Sequence, residues 1–333
     1  MRFFVTSLLR MTVMRQGAKT FRWSRKMANT VNWGMAIPQV FYDGPVDMKL
    51  ISQWAQKAEQ LKFHSLWVQE SIVGDSPVLE PVNLLSYIAA ITQKVKLGTS
   101  VMVAPLRNPV QLAKSLGSLD HMSAGRLIVG LGLGNQNNDV GPFGISPERR
   151  VRRYVEIMDV MKALWTQTEA QYDGHFWKLE GTQMEPKPVQ KPYPPLWLGA
   201  RHPNALRRAV RHADGWMGAG SSTTASFVEG VGQTRMFLEE AGKDPATFTI
   251  SKRVYIAVDD DEKRAEGRLR EWFGKRYKNA DMASQVAVWG STAKCADKLG
   301  ELAEAGAELL LLNPAFDHMD QLEVLAKDVV PQI

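Results

Sequence analysis

The sequence predicts an α/β protein built as one (β/α)8 barrel, a TIM barrel, with a hairpin and loop insertion after the fourth helix. From residue 31 onward, eight apolar strands alternate with amphipathic helices. The strands are apolar throughout, which is typical of parallel strands buried on both faces. The alternative, a doubly wound sheet, would usually carry a glycine fingerprint near its first strand. Here the glycine-rich loops follow the fourth, fifth and sixth strands, which favours the barrel.

The first four units follow one another in regular order. Predicted strands cover residues 31–38, 65–69, 95–103 and 127–132, and predicted helices cover residues 47–62, 81–91, 110–122 and 148–165. In the first helix the apolar residues Leu50, Ile51, Trp54, Ala58 and Leu61 recur at helical spacing. This spacing indicates a helix with one buried face.

After the fourth helix the alternation pauses and then resumes. Asp-Gly at 173–174 lies between aromatic residues and predicts a hairpin, and five prolines between Pro186 and Pro195 predict a loop. Further strands are predicted at 196–199, 215–218, 249–258 and 309–313, and further helices at 203–212, 224–241, 261–277, 292–305 and 319–329.

Composition and charge exclude several classes of function. The 333 residues are 44% hydrophobic and 23% charged, as in an ordinary globular enzyme. The single cysteine, Cys295, rules out an intramolecular disulfide and agrees with a reducing compartment, so we expect a cytoplasmic protein. No apolar stretch approaches the length of about 18 residues that a membrane span needs.

The net charge of +6 arises at the amino terminus. Residues 1–26 carry seven cations and no acid, so the remaining chain has a formal charge of −1. Nucleic-acid binding is therefore not expected. We expect residues 1–30 to be a basic, disordered extension, with Met27 as the true start, and a targeting presequence is the alternative. Residues 31–333 then form a single oxidoreductase domain.

Small residues at two strand ends suggest an anion site. No metal-ligand spacing, catalytic triad or triphosphate-binding loop occurs in the sequence, so no metal is expected. Gly199 and Ala200 follow the fifth strand, with Arg201 beside them, and the turn Gly218–Ser222 follows the sixth strand. Either turn alone could be a simple tight turn. Together, at successive strand ends and before helix starts, they favour a phosphorylated cofactor.

Several segments resemble the bacterial luciferase-like monooxygenases and the related deazaflavin (F420)-dependent oxidoreductases. The first group is Gly98–Val101, Asn108–Lys114, Leu119–Arg126 and Val129–Gly134, and the second is Pro195–Ala200 with Ala209–Trp216. The resemblance covers about residues 31–330. It implies a bulge at Ser100 and Val101, often with a non-prolyl cis peptide, that backs the middle ring of the cofactor.

The resemblance also implies cofactor-binding and structural residues. Gly199, Ala200 and Arg201 after the fifth strand, and Gly218, Ala219 and Gly220 after the sixth, would hold the cofactor phosphate. Many relatives carry Trp-Asn/His-x-x-Glu after the fourth strand, where this chain has Asn135-Gln136-Asn137-Asn138-Asp139. Asn135 is a candidate catalytic residue that would donate a hydrogen bond to the pyrimidine edge of the ring. The conspicuous stretch from Asp120 to Arg126 is interpreted as structural: a helix end, a glycine turn and a buried arginine pair.

Departures from the family pattern leave the chemistry open. The second strand ends in Gln69-Glu70-Ser71, where relatives that oxidise sugar phosphates carry a histidine, so that activity is in doubt. Glu70 is the best candidate acid or base, although a salt-bridged structural carboxylate is as good an interpretation. Gln39, Phe41 and Phe143 are expected to line an apolar substrate pocket.

Three functional hypotheses follow. The first is a monooxygenase that uses reduced FMN and oxygen on a small organic substrate, with a flavin reductase as a candidate partner. The second is an F420-dependent reductase or dehydrogenase. The third is a non-catalytic flavin-binding barrel. A homodimer is expected from the resemblance alone.

Overall fold

The computed structural model describes residues 31–134 and 140–333, and it confirms the predicted barrel. The predicted amino-terminal extension, residues 1–30, lies outside the described residues. The described strands are β1 (Asn32–Ala36), β2 (Ser65–Val68), β3 (Lys96–Thr99), β4 (Met102–Val103), β5 (Leu127–Gly132), β6 (Ala170–Asp173), β7 (Lys178–Thr182), β8 (Leu196–Gly199), β9 (Gly215–Gly218), β10 (Thr249–Val258), β11 (Val288–Gly290) and β12 (Leu309–Pro314).

Eight parallel strands of the described part close the barrel. They pair in the order β1, β2, β3, β5, β8, β9, β10 and β12, and β12 pairs again with β1. Asn32 lies opposite Leu309 in the closing pair, and Thr249 lies opposite Gly215 between β10 and β9. All carboxyl ends of these strands therefore meet at one rim.

The helices surround this barrel. They are α1 (Met48–Gln60), α2 (Pro81–Ile91), α3 (Pro109–Met122), α4 (Arg150–Thr166), α5 (Pro203–His212), α6 (Thr224–Glu240), α7 (Glu262–Tyr277), α8 (Met282–Val286), α9 (Thr292–Ala305) and α10 (His318–Val324). Side-chain caps start many of them. Asp47 accepts a hydrogen bond from the Leu50 amide and Asn108 one from the Val110 amide, while Pro81 supplies the preset backbone of a first helical position.

Two additions interrupt the regular alternation. The predicted hairpin is present as the antiparallel pair β6 and β7, followed by an irregular segment up to β8. The short helix α8 and strand β11, which pairs with β10, were not predicted. A five-residue helix and a three-residue strand are too short for hydrophobic periodicity to reveal. Among the described residues no helix is long and apolar enough to cross a membrane.

Two tryptophans fill the amino-terminal half of the barrel interior. Trp67 and Trp197 are 1% and 5% exposed, and their ring centroids lie 5.3 Å apart. Glycines on neighbouring strands make room for them: a Cβ on Gly98 would lie 2.4 Å from the Trp67 ring, and one on Gly215 would lie 2.7 Å from the Trp197 ring. Ile128, Met217, Leu309 and Leu311 complete this cluster. Any ligand must therefore bind above it, at the carboxyl ends of the strands.

Candidate functional site

The third barrel strand is broken by a cis peptide. The bond between Ser100 and Val101 is cis, as the resemblance implies, and it separates β3 from β4. The Val101 side chain packs against two glycines: a Cβ on Gly132 would lie 2.7 Å from it, and one on Gly199 would lie 3.2 Å from it. The glycines of two other strands thus provide the space into which this irregular segment fits.

A cavity of about 200 Å³ opens beside the cis peptide. It is lined by predicted residues from four strand ends: Glu70, Ser100, Val101, Gly199, Ala219 and Gly220. Gly220 has no room for a larger residue, since its Cβ would lie 2.8 Å from the Tyr255 ring. We call this space the central cavity.

The two predicted turns contact each other. The Arg201 guanidinium, after β8, donates a hydrogen bond to the Ser221 hydroxyl, after β9. Ala200 is fixed because its carbonyl accepts a 2.9 Å hydrogen bond from the Trp216 indole. Helix α6 starts directly behind the second turn, with Thr223 as its cap. The fold therefore brings the strand-five and strand-six turns to one place beside the cis peptide.

A second cavity of about 310 Å³ adjoins these turns. Arg201, Ser221 and Ser222 line it, together with amide side chains (Gln233, Asn279 and Gln285) and the Glu229 carboxylate. Ser221 lines both cavities. A molecule bound across the two turns thus has polar space on the side away from the barrel axis. We call this space the outer cavity.

Lys252 holds the turn after β9 in place through hydrogen bonds. Its ammonium group donates to the Ala219 carbonyl, and to the carbonyl and hydroxyl of Ser222 at 2.8 and 2.9 Å. Burial, and secondarily the nearby Arg201 charge, lower the pKa of Lys252 from 10.5 to about 7. The sequence analysis missed this residue. Its signal was a lysine within an otherwise buried strand, where an unpaired cation is costly.

Arg253 crosses the barrel interior. It is 7% exposed and donates to the Asn313 side chain, to the Ser100 carbonyl at 3.0 Å and to the Gln69 side chain at 3.2 Å. It therefore ties the cis peptide to β2 and β12. Sequence reasoning missed this residue as well, although the adjacent pair Lys252-Arg253 in a buried strand is an unusual signal.

Glu70 forms an ion pair at the cavity wall. One carboxylate oxygen accepts hydrogen bonds from Nε and Nη2 of Arg107, and the other accepts one from the Val103 amide. Its side chain is 2% exposed. These contacts correspond to the structural interpretation of Glu70: the carboxylate holds the chain that follows the cis peptide.

The three proposed pocket residues do not come together. Gln39 is 2% exposed, and its amide bonds to the Gln69 backbone in both directions, at 2.6 and 2.9 Å, so it links strand ends instead of facing a substrate. Phe41 lines a separate cavity of about 420 Å³ against α7. Phe143 ends a short 3-10 helix and is partly exposed. Asn135 lies outside the described residues.

The stretch from Asp120 to Arg126 makes hydrogen bonds within the protein framework. Arg126 donates to the carbonyls of Ala89, Thr92 and Val95 and so closes the end of α2. Asp120 accepts from the backbone and side chain of Gln190. Asp120 and Arg126 thus have separate partners, and the charge nearest in effect to Arg126 is the Glu59 carboxylate. In the described part of the chain no three His, Cys, Asp or Glu residues form a metal-ligand group.

The closed parallel barrel with a cavity at the carboxyl ends of its strands places the protein among the α/β-barrel proteins whose sites lie at that rim. The family model of the luciferase-like monooxygenases matches residues 31–309. The chain belongs to this family, whose members are oxidoreductases that use flavin or F420.

Individual proteins agree with this assignment. An uncharacterised protein of Mycobacterium tuberculosis is 39% identical over 211 residues, which cover 62% of this chain and 73% of the relative. An F420-dependent glucose-6-phosphate dehydrogenase of Kineococcus radiotolerans is 26% identical and covers 75% of each chain.

Two solved structures share the fold. An F420-dependent secondary alcohol dehydrogenase has a TM-score of 0.79 at 20% identity and covers 91% of this chain and 99% of its own. The oxygenating component of 3,6-diketocamphane monooxygenase of Pseudomonas putida, in complex with FMN, has a TM-score of 0.73 at 18% identity and covers 91% and 98%.

Proposed function

We propose that this protein is an F420-dependent oxidoreductase that transfers hydride between the deazaflavin and a small organic substrate. One observation carries the proposal: the contact between Arg201 and Ser221 joins the two turns at the cavity that the cis peptide lines. The curated relative from Kineococcus radiotolerans is named as F420-dependent. Bound in the central cavity, F420 would supply or accept a hydride at its central ring.

The residues of the site fit such a cofactor. Its planar ring needs a wall without projecting side chains, and the turns after β8 and β9 offer glycine and alanine there. Its phosphate needs cations and free donors, and Arg201 and Ser221 lie where both turns meet. Lys252 keeps the second turn in shape by occupying its inward-facing carbonyls.

The outer cavity favours F420 over FMN. F420 continues beyond its phosphate as a carboxylate-bearing chain, whereas FMN ends at the phosphate. The outer cavity begins at Arg201 and Ser221 and offers about 310 Å³ lined mainly by amides and hydroxyls, with one carboxylate, Glu229, that accepts a 3.0 Å hydrogen bond from Gln233. A chain that leaves the phosphate site would lie there and hydrogen-bond to Asn279 or Gln285.

Tyrosines supply hydroxyl groups at the central cavity. Among the described residues that line the central cavity, Glu70 is the only carboxylate, and its two oxygens are occupied. The Tyr277 and Tyr255 hydroxyls lie 2.6 Å apart, and burial raises the pKa of Tyr277, so it stays protonated at neutral pH. When Tyr255 donates the hydrogen bond between the two hydroxyls, the Tyr277 proton is free to donate a hydrogen bond to a substrate oxygen.

Cofactor titration tests the proposal. Fluorescence quenching should show that the purified protein binds F420 more tightly than FMN or FAD. Arg201→Ala should weaken F420 binding at least about tenfold because a charge-assisted hydrogen bond is lost. Arg211→Ala, which removes an exposed cation at the other end of α5, is the matched control and should leave the affinity unchanged. Equal effects of both variants on F420 affinity would contradict a phosphate site at the two turns.

The second candidate is a monooxygenase that uses reduced FMN. The family description and the FMN-bound structural neighbour favour it. Tighter binding of FMN than of F420, together with a product that forms only when oxygen and a flavin reductase are present, would select this candidate. Binding of either cofactor without turnover of any substrate would instead support the non-catalytic barrel. The homodimer and the cytoplasmic location stay predictions.

A further inference from the structure

Two arginines face the central cavity. Arg253 comes from β10, inside the barrel, and Arg276 from the last turn of α7, above it. Both donate to the same oxygen, the Gln69 side-chain carbonyl, at 3.2 and 3.5 Å. One neutral acceptor thus lies between two cations at the rim of the cavity.

Neither charge is balanced within the described part of the chain. The acceptors of Arg253 are the neutral oxygens of Asn313, Ser100 and Gln69, and no carboxylate there forms an ion pair with it. Glu70 is used by Arg107. Asp75 influences Arg276 only from a distance, because it is fully exposed and bonded to Lys278. Cations withdrawn from water are costly unless an anion compensates them, so the cavity attracts an anion.

The two arginines differ in how many of their guanidinium donors have hydrogen-bond partners. Arg253 uses Nε, Nη1 and Nη2, so it is fixed in place. Arg276 has one good hydrogen bond, from Nη1 to Ser76 at 2.8 Å. Its Nε is buried without a partner, and its Nη2 reaches only the 3.5 Å contact with Gln69. Nε and Nη2 form the edge of a guanidinium that binds a carboxylate with two parallel hydrogen bonds.

We propose that the substrate carries a carboxylate and that the Nε–Nη2 edge of Arg276 binds it, with Arg253 adding positive potential from below. The inference rests on the proposed function, because it assigns the substrate class for that cavity. The substrate is then a small organic acid with an oxidisable or reducible carbon beside the cofactor. Its carboxylate lies at the α7 side of the cavity, and its reacting oxygen faces Tyr277, which lines the same cavity.

Calorimetric titration with propionate and its uncharged analogue propionamide tests the proposal at constant ionic strength. The wild-type protein, first free of cofactor and then loaded with F420, should bind propionate at least about tenfold more tightly than propionamide. Arg276→Gln should lose this preference, and Arg276→Lys should keep part of it. Arg270→Gln removes a partly exposed charge of the same helix, which is paired with Asp281 and does not line the cavity, and should behave like the wild type.

Two results would overturn the proposal. One is equal binding of propionate and propionamide, or propionate binding that Arg276→Gln leaves unchanged. The other is an Arg276→Gln variant that weakens F420 as strongly as Arg201→Ala does, since the cation would then serve the cofactor. Absence of any cofactor binding by the wild type would count against the proposed function instead. The titration of cofactor-free protein would still decide whether the carboxylate subsite exists.

Discussion

The two halves of the barrel interior are built from opposite chemistry on the same strands. On β12 the inward residues Leu309 and Leu311 belong to the apolar tryptophan cluster, whereas Asn313, two residues further, holds Arg253. Trp67 and Trp197 pack closely in the amino-terminal half, whereas the carboxyl-terminal half contains charged side chains and a cavity. The first half provides stability, and the second gives up part of it to bind a ligand.

This division implies that substitutions in the two halves should affect different measurements. Substitutions in the amino-terminal half should lower the free energy of unfolding and leave the ligand affinity of the folded protein unchanged. Substitutions in the carboxyl-terminal half should alter ligand affinity, proton binding or both.

Trp67→Ala should cause the largest loss of stability. It removes a fully buried indole that packs on Gly34, Gly98 and Trp197 and leaves a cavity, so we expect a loss of about 3–5 kcal/mol. Urea unfolding measures this loss, with Trp67→Phe as the milder variant. A loss below about 1 kcal/mol would mean that the lower half is not the stabilising one.

Lys252→Met should change how stability depends on pH. The unfolded lysine keeps its proton up to about pH 10.5, whereas the folded one releases it near pH 7. Between these values the unfolded state binds more protons, so the wild-type free energy of unfolding gains up to about 1.4 kcal/mol per pH unit relative to the variant. Urea unfolding of both proteins from pH 7 to pH 10 measures the difference. Parallel profiles would contradict a buried, proton-releasing lysine.

Glu70→Gln should reduce stability by about 1.5–3 kcal/mol, because Arg107 loses its buried partner. The pH profile of turnover should keep its shape, since we assign Glu70 a positioning role. If Glu70 were the acid or base, the variant would lose activity by about 10²–10⁴-fold and lose one limb of the profile.

The smallest effects should come from two helix caps. Thr223 accepts a capping hydrogen bond from the Ser226 amide, and Asp47 accepts one from the Leu50 amide. Thr223→Ala and Asp47→Ala each remove this bond and should each lower stability by about 1 kcal/mol. Only Thr223 lies behind the strand-six turn, so only Thr223→Ala should also weaken F420 binding. Equal F420 affinity in the two variants would show that the start of α6 does not contribute to cofactor binding.

The sequence predicted the fold because its local signals agree with one another. Pro81 and Pro203 mark helix starts, and the Asp-Gly pair at 173–174 marks the hairpin, where the structure has them. The position of the cis peptide came from the family resemblance and not from any local pattern. The helix α8 and strand β11 left no periodic signal because they are too short.

The site was only partly predictable. The turns at Gly199 and Gly218 were found because small residues at strand ends are visible in a sequence. Lys252, Arg253 and Arg276 were missed because their role depends on partners 30 to 207 positions distant, such as Ser222 and Gln69. Gln39 was assigned to the pocket because a polar residue after a strand looks the same whether it faces a ligand or a neighbouring backbone.

The sequence by itself determined the barrel, its helix boundaries and the positions of the turns, because helix caps, apolar periodicity and backbone freedom act over a few residues. Only the tertiary structure decided which charges are balanced. Two arginines from β10 and α7 line one cavity, and the carboxylate that lines the same cavity, Glu70, is paired with Arg107. An uncompensated charge costs more free energy when it is buried, so this arrangement favours an anionic ligand.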